Sequence, residues 1–161
     1  MVTYADKPWL KHYHKGVPAH VDIPEISVPD MLDQTVAKIP NNNAIYFMGK
    51  KITYAELKDH VDRLATALVD LGIKRGDVVA IHLPNLPQFI ITYYAALKAG
   101  ARVTCISALL TPPEAKFQLN DAEAKAVITM DGAPLGIINT VRNETKLQHV
   151  IVTALSDYLP G

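Results

Sequence analysis

Apolar side chains recur between residues 57 and 71 at the spacing of an α-helix. They follow one another at steps of four and three residues, so they share one side of the helix. The segment Thr53–Glu56 before them has the capping-box spacing, and Gly72 is suited to end the helix in a left-handed conformation. The pattern predicts an amphipathic helix whose apolar side faces a core. Its members are Leu57, Val61, Leu64, Leu68 and Leu71.

Short apolar runs alternate with helical segments through the rest of the chain. The run Val78–Leu83 is nearly all apolar, which is typical of a strand buried on both faces of a parallel sheet. The alternation predicts an α/β protein with an open, mostly parallel sheet and helices on both faces. Strands are predicted at 78–83, 102–107, 126–130 and 150–153, and helices at 87–99, 111–125 and 134–146.

The first quarter of the chain has a different pattern, because no periodicity lasts more than a few residues between its prolines. Residues 1–28 are predicted to form an extended N-terminal arm, with the aromatic side chains of Tyr4, Trp9 and Tyr13 as its anchors. A short helix is predicted over Asp30–Lys38. A β-hairpin follows, with strands at 44–48 and 51–53 and its turn at Gly49-Lys50. Residues 29–161 are therefore expected to form one α/β unit behind the arm.

Charge and cysteine content narrow the range of functions. Sixteen Lys and Arg balance sixteen Asp and Glu, so no basic field is available to attract nucleic acid. Cys105 is the single cysteine, which excludes an internal disulfide and fits a reducing compartment. The first residues lack the apolar core of a signal peptide, and no apolar stretch is long enough for a transmembrane segment. A cytoplasmic protein is the resulting expectation.

Open parallel sheets bind ligands at the carboxyl ends of their strands, and the loops expected there contain no glycine-rich phosphate cradle. In the most distinctive of these loops, Leu83–Pro87, the side chain of Asn85 could meet a ligand or cap the next helix, and capping is the favoured interpretation. His82 lies within an apolar strand and is predicted to be a hydrogen-bonded core histidine. His12 and His14 lack the spacing of metal ligands on a helix.

Other reactive or aromatic side chains also favour structural roles. Cys105 lies in an apolar strand without a neighbouring His or Lys, so a buried and unreactive thiol is predicted. Tyr93 and Tyr94 are predicted to pack a helix against the core and not to stack on a cofactor. The residues by themselves therefore indicate a sheet with its helices and no assembled reaction centre.

Several segments together resemble one enzyme family. Ile52–Leu57 is similar to the first core motif of the adenylate-forming (AMP-binding) superfamily, and Leu97–Ala101 is similar to the second. Gly76–Ile81 and Leu83–Asn85 stand where that family has its G-D-x-V-A and P-N segments. Within the family, the arm segment 8–13 and residues 110–121 resemble long-chain and medium-chain fatty acid–CoA ligases most. Val103–Ala108 departs from the usual V-P-x-N-P, which leaves the role of that loop open.

The resemblance implies an acid–thiol ligase that uses ATP, Mg²⁺ and coenzyme A. Such an enzyme joins a fatty acid to AMP, releases pyrophosphate, and passes the acyl group to the coenzyme A thiol. The family's phosphate loop and later motifs would follow Gly161, so the chain is expected to be an N-terminal subdomain that is inactive and binds none of these cofactors alone. No catalytic, cofactor-binding or metal residue is assigned. The resemblance also implies a homodimer contact through the arm, with Trp9 and Tyr13 as candidates.

A second function class is compatible with the same residues. The chain could be a free-standing, non-catalytic α/β module that binds a partner or a small ligand. A flavodoxin-type nucleotide-binding domain is disfavoured, because no phosphate-binding loop follows the first strand of the predicted sheet.

Overall fold

A four-stranded parallel sheet forms the centre of the protein in the computed structural model, which describes residues 3–159. Its strands are β3 (Val78–His82), β4 (Arg102–Cys105), β5 (Ala124–Met130) and β6 (His149–Thr153). They lie in the order β4-β3-β5-β6, and each neighbouring pair is parallel. The predicted open parallel sheet is therefore confirmed, and β3 and β5 are its two inner strands.

Three helices connect these strands: α3 (Pro87–Lys98), α4 (Pro112–Asp121) and α5 (Ala133–Val141). From β3 the chain moves outward to β4 and then returns past β3 to β5. Because crossovers between parallel strands are right-handed, this reversal places α3 on one face of the sheet and α4 and α5 on the other. The predicted arrangement of helices on both faces is confirmed.

Two apolar clusters cover the two faces of the sheet. One joins α3 and the long helix α2 (Tyr54–Asp70) to side chains such as Val79 and Ile81 of β3. The other joins α4 and α5 to the alternate side chains, including Ala80 of β3 and Val127 of β5. Every residue of β3 is buried, so the continuous apolar run in the sequence reflects coverage from both sides.

Helix α2 follows the predicted pattern closely. Thr53 accepts a hydrogen bond from the Glu56 amide (3.2 Å), and the Glu56 carboxylate accepts one from the Thr53 amide (2.7 Å). Gly72 ends the helix at a φ of +85°, and the amide of Ile73 donates to the carbonyl of Leu68, as in a Schellman motif. Leu71 was expected in the buried stripe but is 42% exposed, because it lies at the helix end where the chain turns away.

The predicted hairpin is present with its turn one residue earlier than expected. Strands β1 (Asn43–Phe47) and β2 (Lys50–Thr53) pair antiparallel. The central turn residues are Met48 and Gly49, with φ of +47° and +88°. Positive φ at both positions gives a primed turn, whose twist matches that of the two strands. The predicted turn at Gly49-Lys50 was therefore wrong by one residue, because the glycine is the second central residue of the turn and not the first.

The arm ends earlier than predicted. Helix α1 (Val28–Lys38) begins two residues before Asp30, where the helix was predicted to start. The Ser27 hydroxyl accepts from the Asp30 amide, and proline is tolerated in this first turn, where no amide is needed for the helix ladder. Before it, two short 3₁₀ helices, Tyr4–Asp6 and Pro8–His12, interrupt the predicted extended arm. The first two residues of the predicted arm, and the last two of the predicted α/β unit, lie outside the described residues.

Other boundaries differ by a few residues. Helix α4 ends at Asp121 and not at Lys125, because Glu123 has a φ of +53° and Ala124 already begins β5. Strand β3 stops before Leu83, and β4 stops at Cys105. A 3₁₀ turn over Arg142–Glu144 extends α5, and another at Leu155–Tyr158 follows β6. These shifts leave the order of elements as predicted.

Four charged side chains tie α1, α2 and α3 together. The Lys58 Nζ atom lies 2.9 Å from Asp33 and 2.7 Å from Asp62, and the Lys98 Nζ atom lies 3.3 Å and 2.6 Å from the same two carboxylates. The hydrogen bonds that Lys58 donates to Asp62 and Asp33 raise the pKa of its ammonium group. All four side chains are partly exposed, so the network adds to the apolar packing without replacing it.

Burial in α2 predicts a sharp contrast between two adjacent positions. Leu68 is fully buried and Val69 is 54% exposed. Leu68→Ala should lower the free energy of unfolding by roughly 2–5 kcal/mol, because it leaves a cavity. Val69→Ala, the matched control, should change it by no more than about 0.5 kcal/mol. Urea denaturation followed by circular dichroism measures both, and equal effects would contradict the burial assigned to this helix.

Candidate functional site at the carboxyl ends of the strands

The sheet has one topological switch point, between β3 and β5. These strands are neighbours, yet the helices that follow them lie on opposite faces, so the loops after His82 and Met130 lead to opposite faces, the arrangement that forms a crevice in open α/β sheets. In open α/β sheets, ligands bind in this crevice at the carboxyl ends of the strands. The candidate site is therefore built from the loops that follow β3 and β5, flanked by the ends of β4 and β6.

Two buried polar side chains lie near the carboxyl ends of β3 and β5. His82 and Thr129 occupy paired positions of β3 and β5, and both are fully buried. The His82 Nδ1 atom lies 3.0 Å from the Thr129 hydroxyl oxygen, while Nε2 has no well-formed hydrogen bond. Burial lowers the pKa of His82, and the neighbouring backbone of Ser107 opposes part of that shift. His82 is thus the hydrogen-bonded core histidine that was predicted, and it is neutral at pH 7.

A second polar group joins α3 to the end of β6. The Gln88 side-chain amide donates to the carbonyl of Ala154 (2.9 Å) and to the hydroxyl of Thr153 (3.2 Å). That hydroxyl in turn donates to the Asp157 carboxylate (2.8 Å), which also accepts from the Ala154 amide. These hydrogen bonds, from backbone and side chain, lower the pKa of Asp157. The network fixes the backbone where it leaves the sheet.

The segment after β6 is held from its far end as well. Tyr158 makes an edge-on contact with the His60 ring of α2, with ring centroids 5.6 Å apart, and the Lys50 ammonium lies 5.3 Å from the same aromatic centroid. Burial raises the pKa of Tyr158. Sequence reasoning did not single out Gln88 or Tyr158. A polar residue in the first turn of an otherwise apolar helix is the signal that could have drawn attention to Gln88.

The predicted capping role of Asn85 is wrong. Leu86 is the N-cap residue of α3 and provides no side-chain hydrogen bond, while Asn85 is exposed. Gly132 begins α5 without a side-chain cap. Both helix N-termini therefore lie at the carboxyl edge with unsatisfied amides, a setting that favours negative charge. The loops around them contain no Lys or Arg to hold a phosphate group.

The other singled-out side chains are either exposed or packed against the core. Cys105 is exposed, which corrects the prediction of a buried thiol: it stands at the end of an edge strand whose outer side has no strand neighbour. Desolvation still raises its pKa, so the thiol is not activated. Tyr93 and Tyr94 pack against the core as predicted, with ring centroids 5.9 Å apart. The arm histidines His12 and His14 are both exposed.

The described chain offers no ready metal site. Within residues 3–159, no three His, Cys, Asp or Glu side chains converge as metal ligands. Over the same span, no helix combines the length and the apolar character needed to cross a membrane.

Parallel strands with helices on both faces define an open α/β fold, the class in which ligands characteristically bind at the carboxyl ends of the strands. The AMP-binding enzyme family matches residues 32–160, and the chain belongs to that family. The resemblance of the motifs in the sequence is thereby confirmed.

Relatives and solved structures agree on the family. A long-chain-fatty-acid–CoA ligase of Bacillus subtilis is 34% identical over 158 residues, which are 97% of this chain and 28% of that protein. A Mycobacterium tuberculosis fatty acyl CoA synthetase matches with a TM-score of 0.71 at 29% identity, over 78% of this chain and 26% of that one. A long-chain-fatty-acid-CoA ligase from Archaeoglobus fulgidus matches in fold, with a TM-score of 0.78 at 21% identity, over 91% of this chain and 32% of the other. The chain spans about 28% of the length of the curated long-chain relatives it matches.

The buried histidine predicts a pH-dependent stability. An unfolded histidine has a pKa near 6.5, and that of folded His82 is lower. The unfolded state therefore binds more protons than the folded state near and below pH 6.5, and stability is lost as the pH falls below about 7. His82→Gln should flatten the dependence of the free energy of unfolding on pH in this window, whereas His14→Gln, on the exposed arm, should leave it unchanged. Urea titrations at several pH values measure the slope, and an unaltered slope in His82→Gln would refute the assignment.

Proposed function

We propose that this chain is the N-terminal part of a fatty acid–CoA ligase, the class of acid–thiol ligase that makes acyl-CoA through an acyl-adenylate. The observation that carries the proposal is the 34% identity with the Bacillus subtilis long-chain-fatty-acid–CoA ligase over almost the whole chain. Several bacterial relatives with the same printed name match at 32–34% identity over 95–96% of the chain. Membership of the AMP-binding enzyme family supports the same chemistry.

The substrate class is the finer part of the proposal. An oxalate–CoA ligase of Arabidopsis thaliana is 35% identical, but over 129 residues, which are 78% of this chain. The long-chain ligases match 95–97% of it, including much of the N-terminal arm. The wider match favours a fatty acid substrate. ATP, Mg²⁺ and coenzyme A are the proposed co-reactants, and fatty acid metabolism in the cytoplasm is the proposed setting.

The proposed contribution of these residues is structural support for the reaction. The sheet fixes the ends of β3 and β5 at the switch point, and the Gln88 network fixes the backbone that leaves β6. None of these side chains is assigned a catalytic role, because the edge provides no cation for phosphate and no activated nucleophile. We propose that the nucleotide and metal are held by residues outside this chain.

A chimaera tests the ligase proposal. This chain should replace the matching N-terminal segment of the Bacillus subtilis relative and give a protein that makes acyl-CoA from hexadecanoate, dependent on ATP and coenzyme A. The relative without its N-terminal segment, and the 161-residue chain alone, should both be inactive in this assay and in ATP–pyrophosphate exchange. Acyl-CoA is measured by liquid chromatography with mass spectrometry.

Two outcomes would contradict the proposal. Exchange by the chain alone would show that it contains its own active site. A chimaera that melts cooperatively, yet activates no fatty acid, would favour the free-standing binding module. The reading frame beyond codon 161 separates the same alternatives, because a Ser/Thr/Gly-rich phosphate loop is expected to follow only in a ligase.

The proposal includes a homodimer contact through the N-terminal arm. Trp9 contacts the ring of Tyr4, with centroids 4.8 Å apart, and Tyr13 is 45% exposed. Further along the arm, Val21 and Ile23 are 73% and 84% exposed. An exposed row of apolar side chains is typical of a surface that is covered by a partner.

The dimer contact is tested by mass measurement in solution. Wild-type protein should show a concentration-dependent dimer in multi-angle light scattering, and Trp9→Ala should shift it toward the monomer because the aromatic anchor is lost. Met31→Ala, at an exposed position of α1 beyond the arm, serves as the control and should leave the mass unchanged. Identical masses for wild type and Trp9→Ala would exclude this role of the arm.

A further inference from the structure

Charge is unevenly distributed along the chain, although the whole chain is neutral. Residues 7–20, the basic segment of the N-terminal arm, contain three lysines and three histidines but no Asp or Glu. The compensating negative charge lies in the rest of the chain. The basic side chains are Lys7, Lys11, Lys15, His12, His14 and His20.

The basic segment folds back on itself. The 3₁₀ helix Pro8–His12 begins directly after Lys7, and the backbone turns again at Gly16, where φ is +95°. The Lys7 Nζ atom lies 3.1 Å from the His20 Nε2 atom, so the two ends of the segment meet. All three lysines therefore belong to one closed loop.

No neighbouring carboxylate neutralises these lysines. Within residues 3–159, every ion pair involves basic side chains outside the basic segment. Lys11 and Lys15 are exposed, and Lys7 is half-buried beside His20. A loop with unpaired cations attracts a partner that carries negative charge.

Apolar side chains stand among and beside these charges. Trp9 lies between the first two lysines, and the exposed Tyr13 and Val17 lie on either side of the third. Val21 and Ile23, which are also exposed, follow the segment. Aromatic rings favour the boundary between lipid headgroups and acyl chains, and lysines close to a membrane surface are attracted by anionic headgroups. The two kinds of side chain together match an anionic lipid surface.

A nucleic acid would use only part of this surface. Proteins that bind single strands combine positive charge with aromatic rings on which the bases stack. The exposed aliphatic side chains of Val17, Val21 and Ile23 offer no such ring. A lipid surface uses the aliphatic side chains as well as the lysines, and is therefore the favoured partner.

We propose that the basic segment binds the surface of a membrane that contains anionic lipids. The lysines meet the phosphate headgroups, and Tyr13, Val17 and Ile23 enter the boundary with the acyl chains. The proposal rests on the arm alone and does not depend on the ligase proposal. It gives the lysines a partner different from the dimer contact proposed for Trp9.

Vesicles of two compositions test this contact with the 161-residue protein. Mixed phosphatidylcholine–phosphatidylglycerol vesicles should bind about 100-fold more tightly than phosphatidylcholine alone, because each lysine near an anionic surface contributes about fivefold. Raising the NaCl concentration from about 0.1 M to about 1 M should remove most of this preference, because the screening length falls from about 10 Å to about 3 Å. Co-sedimentation measures the affinity. Trp9 is the only tryptophan, so a change in its fluorescence locates the contact at the basic segment.

Two double variants separate the position of the charge from its amount. Lys11→Gln with Lys15→Gln should weaken binding to anionic vesicles about 25-fold. Lys38→Gln with Lys74→Gln removes the same charge at exposed positions outside the arm, and should bind as the wild type does. Circular dichroism verifies that both variants keep the fold.

A third variant tests the apolar part of the contact. Val17→Ser with Ile23→Ser keeps every charge and should weaken binding to anionic vesicles about tenfold, because less apolar surface leaves water. Its dependence on salt should remain that of the wild type, since the lysines are unchanged.

Several results would overturn the proposal. Equal affinity of the wild type for neutral and anionic vesicles would remove the charge recognition. Equal losses in the two lysine variants would assign binding to net charge and not to the basic segment. Unchanged binding in Val17→Ser with Ile23→Ser would show a purely ionic contact. Binding of an oligothymidylate strand as tight as that of anionic vesicles would assign the segment to nucleic acid.

Discussion

Burial of the two inner strands on both faces is the constraint on which the rest of the structure depends. Every residue of β3 is inaccessible to solvent, and so is most of β5. Helices must therefore cover both faces of the sheet. Because crossovers between parallel strands are right-handed, this is achieved when the connection from β4 to β5 crosses the sheet in the opposite direction to the connection from β3 to β4. The same reversal creates the switch point. The position of the candidate site is thus a consequence of how the core is covered, before any side-chain chemistry is considered.

This constraint also decides which polar side chains the inner strands can carry. His82 and Thr129 stand at paired positions at the carboxyl end and hydrogen-bond to each other, so neither leaves its Nδ1 or hydroxyl group unpaired in the core. Charged groups are kept at the margins. The Asp33–Lys58–Asp62–Lys98 network joins three helices at their solvent side, where water lowers the cost of holding four charges.

Patterns that depend on local physics were predictable, and those that depend on neighbours in space were not. The α2 helix followed from its periodicity and the β3 strand from a nearly all-apolar run, and the capping box at Thr53 and Glu56 is present as the spacing predicted. The exposure of Cys105 could not be predicted, because the sequence does not reveal that β4 is an edge strand. Likewise, the end of α4 is set by the pairing of Ala124 with Val78, which pulls the chain into β5. The Gln88 contacts join residues that are 65 and 66 positions apart, so the sequence does not reveal which groups Gln88 contacts.

Gln88 is the residue that joins helix α3 to the chain leaving the sheet. Its side-chain nitrogen donates to the Ala154 carbonyl and to the Thr153 hydroxyl, so a buried residue of α3 completes the end of β6. An apolar residue of similar size would fill the same space but would leave the Ala154 carbonyl without this donor. The polar residue at this position is therefore explained by the backbone that it holds, as Thr129 is explained by its hydrogen bond with His82.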